Sequence, residues 1–67
     1  MRIDRVKLIA EMARQDITSV QLAQRAGVSR VTVSALRRGK ACTASTAGHI
    51  ARALGVDVAD LMAKGED

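Results

Sequence analysis

Phe, Tyr and Trp are absent from this 67-residue chain, so any core must be built from Leu, Ile, Val, Met and Ala in close-packed helices. Pro is absent too, and apolar-polar alternation of the kind strands need is hard to find, which favours an all-helical domain with low contact order. Cys42 is the single cysteine. It excludes an intrachain disulfide and a zinc-holding cysteine cluster, and it fits a reducing cytoplasm. Long apolar runs are missing as well. The opening MRIDRVKLIAEM is interrupted by Asp4, Arg5, Lys7 and Glu11, so it has neither a signal-peptide core nor a membrane span, and the expected location is cytoplasmic. The length leads us to expect one domain, residues 1–67, near the size at which a single core only just outweighs chain entropy.

Acidic residues are missing where it matters most. From Ile17 to Lys40 the charged residues are Arg25, Arg30, Arg37, Arg38 and Lys40, whereas Asp57, Asp60, Glu66 and Asp67 gather in the last third. The net charge is +4 and the isoelectric point about 10.2. The positive field is thus concentrated mid-chain, which suits a polyanionic partner.

What is present reads as about five short helices. The first covers Arg5 to about Gln15, capped by Asp4, with Leu8, Ile9, Met12 and Ala13 as its apolar stripe and Val6 extending it. Thr18-Ser19-Val20-Gln21 is a capping box that starts a second helix burying Leu22, Ala23 and Ala26. Gly27 sits where a helix ends in the left-handed conformation. Only Val28 separates it from Ser29, the N-cap of a third helix with Val33 and Leu36 inward and Gly39 at its end. A fourth helix carries Ala47, Ile50, Ala51 and Leu54 before Gly55, with Ser45 preferred over Thr43 as its cap. Asp57 is expected to cap a last helix bearing Val58, Leu61 and Met62, and Lys64 to Asp67 to fray.

The segment SVQLAQRAGVSRVTVSALRR, Ser19 to Arg38, resembles the helix-turn-helix of the lambda repressor, Cro and Xre family. That resemblance implies a small residue within the first helix, a glycine at the turn and apolar residues locking the helices together. Ala23, Gly27 and the set Leu22, Ala26, Val28, Val33 and Leu36 fill those places. It extends to the Gly39-Lys40 pair and the IARALGVDVADLM ending, and it implies a lambda-repressor-like bundle acting as a DNA-binding repressor. Two departures stand out. Ser19 stands where relatives often carry a phosphate-holding Gln, and the loop from Ala41 to Ser45 lacks the basic residues some relatives place there.

The geometry has its own reasons. A side chain larger than Ala at position 23 would overpack the helix crossing by roughly 1–3 kcal/mol. A Cβ at Gly27 would strain a left-handed turn by roughly 1–2 kcal/mol and change the angle of the next helix. With Val33 and Leu36 inward, Arg30, Val31, Ser34, Ala35 and Arg38 turn outward, with Ser29 at the tip. Ser29, Arg30, Val31, Ser34 and Ala35 are the expected base contacts. Arg30 suits guanine, and Val31 or Ala35 a thymine methyl. Ser19, Arg25, Arg37, Arg38 and Lys40 are the expected phosphate contacts, although Arg37 is also placed to pair with Glu11 or Asp16.

Other chemistry finds little footing. Cys42 and His49 supply at most two metal ligands. Ser29, Ser34 and Ser45 lack a visible base and orienter, so no enzyme, metal site, cofactor or small-molecule ligand is expected. RNA readers stack bases on aromatic rings, which this chain lacks. The competing reading is a protein-interaction module, such as an antitoxin or a phage control factor, on the same fold. A homodimer would use the last two helices, including Val56, Val58 or Met62.

Overall fold

Local caps decide where the helices begin. The computed structural model describes residues 1–62, in the order α1 (Arg5–Gln15), α2 (Ser19–Ala26), α3 (Arg30–Arg37), α4 (Ala44–Leu54) and a single 3₁₀ turn (Val58–Asp60). The Asp4 carboxylate accepts from the amides of Val6 and Lys7 at 2.8 and 3.3 Å. Thr18 and Gln21 form the reciprocal box, each side chain accepting from the other's amide, at 3.1 and 2.9 Å. Ser29 Oγ accepts from the Thr32 amide at 3.1 Å. Together these satisfy amides that no helix can pair internally.

Two expectations need correction. The cap of α4 is Thr43, whose Oγ1 accepts from the Thr46 amide at 3.1 Å, and not Ser45. Thr43 has the extended backbone a cap requires, whereas Ser45 already lies within the helix and its Oγ sits 3.4 Å from His49 Nε2. The last helix is only the 3₁₀ turn, and Asp57 makes no side-chain cap bond. Tertiary pairing stops it from growing: the Leu61 carbonyl accepts from the Asp4 amide at 2.8 Å, and Ile3 and Met62 form an antiparallel bridge. The acidic pair Glu66 and Asp67 and the expected fraying from Lys64 lie outside the described residues.

The core draws Leu8 and Met12 from α1, Leu22, Ala23 and Ala26 from α2, Val33 and Leu36 from α3, and Ala47, Ile50, Ala51 and Leu54 from α4. Each fully buried Leu or Ile contributes about 1.5–3 kcal/mol of transfer energy. The expected stripe on α1 narrows to Leu8 and Met12. Ile9 is half-buried and Ala13 exposed, and Val6 is 63% exposed, because only one side of α1 packs, mainly against α3. Ile3, Ile17 and Leu61 complete the core from outside the α-helices. Among the described residues, no buried side-chain polar atom lacks a partner.

The first four residues act as a seam. Arg2 bridges to Ala41, the Cys42 amide donates to the Met1 carbonyl at 2.8 Å, and Lys7 Nζ donates to the Met62 carbonyl at 3.0 Å. On the far side, Gln15 Nε2 donates both to the Leu54 carbonyl at 2.6 Å and to Glu11 Oε2 at 2.7 Å, tying α1 to the end of α4.

Replacing Thr43 by Ala is expected to lower unfolding free energy by about 1 kcal/mol, and Ser45→Ala to change it by less than about 0.5 kcal/mol; urea denaturation distinguishes the two. Glu11 offers a pH prediction. Its hydrogen bonds from Arg14 and then Gln15 hold its carboxyl below the usual glutamate range. The stability it lends is therefore present above the unfolded-state value and lost as pH falls through the lower folded value. Urea midpoints of Glu11→Gln and the wild type should differ near neutrality and converge only once the pH has fallen below the lowered folded value.

Candidate nucleic-acid interface

The angle between α2 and α3 is set by a three-residue turn. Gly27 has φ +72°, and no atom lies within 4 Å of where its Cβ would stand. Glycine is thus required for backbone conformation and not for space. The Val28 amide then donates to the Ala23 carbonyl at 3.1 Å, its side chain packs half-buried against the core, and Ser29 opens α3.

Only Val33 and Leu36 of α3 are buried. At about 100° per residue, Val31 and Arg38 stand opposite them on the outward face, with Ser34 and Ala35 to either side. Val31 is 74% exposed, which is unusual for a β-branched apolar residue and places a methyl-bearing surface at the middle of this face. Arg30 is exposed at the first turn, and Ser34 and Ala35 are half-buried. Ser29 is exposed, but its Oγ is engaged with the Thr32 amide and lies 3.0 Å from Thr32 Oγ1.

The helix ends where the Gly39 amide reaches the Leu36 carbonyl and the Lys40 amide reaches the Ala35 carbonyl, leaving Arg38 and Lys40 exposed at its rim. Arg25 is exposed on the last turn of α2. Ser19 is half-buried at the first position of α2. Arg37 Nη1 donates to Ser19 Oγ at 2.8 Å, and not to Glu11 or Asp16. Glu11 is instead taken by Arg14 and Gln15. Among the described residues, Arg14–Glu11 is the ion pair formed, so the five basic side chains from Arg25 to Lys40 carry uncompensated charge.

Reading along the chain missed two basic residues that the fold brings to this rim. The bridge to Ala41 sets Arg2 beside the α3–α4 loop, and the Arg5 side chain passes 3.6 Å from the Cβ position of Gly39. Their sequence distance from α3 hid this, and only the unexplained basic residues at the start of the chain could have hinted at it.

Elsewhere, burial pushes the thiol of half-buried Cys42 up in pKa, and His49 is exposed beside Ser45. The described residues hold no cluster of three or more potential metal ligands and form no pocket, and none of their helices is long and apolar enough to cross a membrane.

The sequence profile of the Cro/C1-type helix-turn-helix DNA-binding domain matches residues 7–64. The chain belongs to this family. No curated protein sequence matches it. Among solved structures, this Cro/C1-type domain is similar to PhpD with cadmium atoms (30% identity, TM-score 0.83, covering 100% of this chain and 15% of that one). A hydroxyethylphosphonate dioxygenase variant is similar too (30%, TM-score 0.86, again 100% and 15%). So is Streptomyces albus HEPD with 2-hydroxyethylphosphonate and Fe(II) bound (32%, TM-score 0.80, 87% and 13%). The chain therefore spans a small fraction of those proteins' length.

The division between inward and outward residues of α3 makes a direct prediction for thermal or urea unfolding. Arg30→Ala and Val31→Ala should leave stability within about 0.5 kcal/mol, Gly27→Ala should cost about 1–2 kcal/mol, and Leu36→Ala about 2–5 kcal/mol.

Proposed function

We propose that this Cro/C1-type domain binds double-stranded DNA sequence-specifically as a transcriptional repressor, with α3 in the major groove. The observation that carries this reading is the outward face of α3, where an exposed Val31 is flanked by Arg30 and Arg38 within a basic, acid-free stretch of the chain. An apolar patch among cations suits base edges bordered by phosphates. Arg30 is assigned to guanine O6 and N7, Val31 and Ala35 to thymine methyls, and Ser34 to a base edge; Ser29 is left mainly its cap role, with its exposed side still near the groove floor. Arg25, Arg38 and Lys40 hold phosphates, joined by Ser19 at the start of α2, where helix amides favour an anion. No catalysis is assigned to these residues, and the site of action is the cytoplasm.

A homodimer through Val56, Val58 and Met62 would present two copies of α3. Val56 and Val58 are partly buried against their own core, which leaves a shallow apolar surface for a weak dimer. The domain measures 29 × 21 × 19 Å, so two copies fit side by side on major grooves about 34 Å apart.

A second reading stands beside it. Chains described as a dioxygenase hold a part similar to this one, so the fold by itself does not assign DNA as the partner, and the alternative is an interaction module that docks on protein, as an antitoxin or phage control factor would.

Selecting sites from a random duplex pool with the wild type and Arg30→Ala separates the two. The DNA reading expects an inverted repeat. It also expects a loss of about 1–3 kcal/mol in discrimination at one base position per half-site in the variant, and affinity that falls linearly with salt on a log-log plot. Weak, sequence-blind binding by the wild type would overturn it and leave the protein-docking reading.

A further inference from the structure

We propose that Arg37 is a positioning residue for DNA binding that works through Ser19 and does not itself hold a phosphate; this rests on the DNA-binding reading above. Arg37 shares the side of α3 that bears Arg30 but leaves it two turns later, at the last turn, where its side chain reaches across to the start of α2. There its Nη1 donates to Ser19 Oγ at 2.8 Å. A guanidinium has donors and no acceptor, so the Ser19 hydroxyl proton cannot return along that contact. It is left to donate to something else, and the adjoining cation polarises it toward doing so.

The neighbouring groups are already committed. Thr18 Oγ1 is occupied by the Gln21 amide, and Gln21 Oε1 by the Thr18 amide. Thr18 Oγ1 is turned back onto the helix start by that bond, whereas Ser19 is the hydroxyl of this turn held by a cation, and Arg37 sets its direction. The same contact fastens the last turn of α3 to the first turn of α2, so the phosphate-facing hydroxyl and the base-reading face keep a fixed spacing. Ser19 thereby takes over, with help, the place where relatives often carry a longer Gln.

The test is a double-mutant cycle on the selected DNA site, with affinities measured over a range of salt. Ser19→Ala and Arg37→Ala should each weaken binding roughly tenfold. The double variant should be no weaker than either single one. The slope of log affinity against log salt should be unchanged by Arg37→Ala, and the Ser19→Thr variant, which keeps a hydroxyl, should restore sensitivity to Arg37→Ala. Circular dichroism and melting of each variant establish that it is folded. A slope shallower by about 0.9 in Arg37→Ala, losses that multiply in the double variant, or unchanged affinity in the single variants would each overturn the proposal while leaving DNA binding intact. No specific binding by the wild type would instead defeat the DNA-binding reading, and this proposal with it.

Discussion

The seating of Val33 and Leu36 is the constraint on which the rest depends. An eight-residue helix has little stability of its own, and α3 contributes only these two side chains to the core. Their burial against α2 and α1 therefore supplies most of what keeps α3 helical, and it also fixes its rotation. A turn of the helix by one residue would move Val31 by about 100° and turn the two core side chains away from their seats. Small Ala23 and left-handed Gly27 then set the crossing at which that face is shown.

The outcome is a clean separation between residues that hold the fold and residues that face outward. The described residues bury no polar or charged side chain, while the basic residues of the α2–α3 unit are solvated. Exposed positions contribute little to stability, so the chemistry of the outward face can vary without loss of the frame. The contact between Arg37 and Ser19 is the exception, since it belongs to the surface but joins the two helices of the motif.

How far the sequence could be read follows from the range of the interactions. The caps at Asp4, Thr18 and Ser29 and the turn at Gly27 were legible because each is settled by residues two to four apart. Thr43 and Ser45 are both good caps, and the choice between them depends on which backbone is extended, which composition does not state. The last helix was overread because Leu61 and Met62 have helical spacing, yet their backbone is claimed by Ile3 and Asp4 from the other end of the chain. Ile3 and Ile17 escaped notice because neither belongs to a periodic run. The motif and its outward face were visible in the pattern. The partner of Arg37 and the arrival of Arg2 and Arg5 at the rim were not, since both need long-range geometry.

The seam formed by the first four residues has a topological consequence. Ile3 lies bridged to Met62, so the path into the domain and the path out of it run antiparallel and side by side. A host polypeptide could detour through these 60 or so residues and resume almost where it left off, as domain insertion requires. The fold is therefore suited to being carried as a cassette within a larger chain.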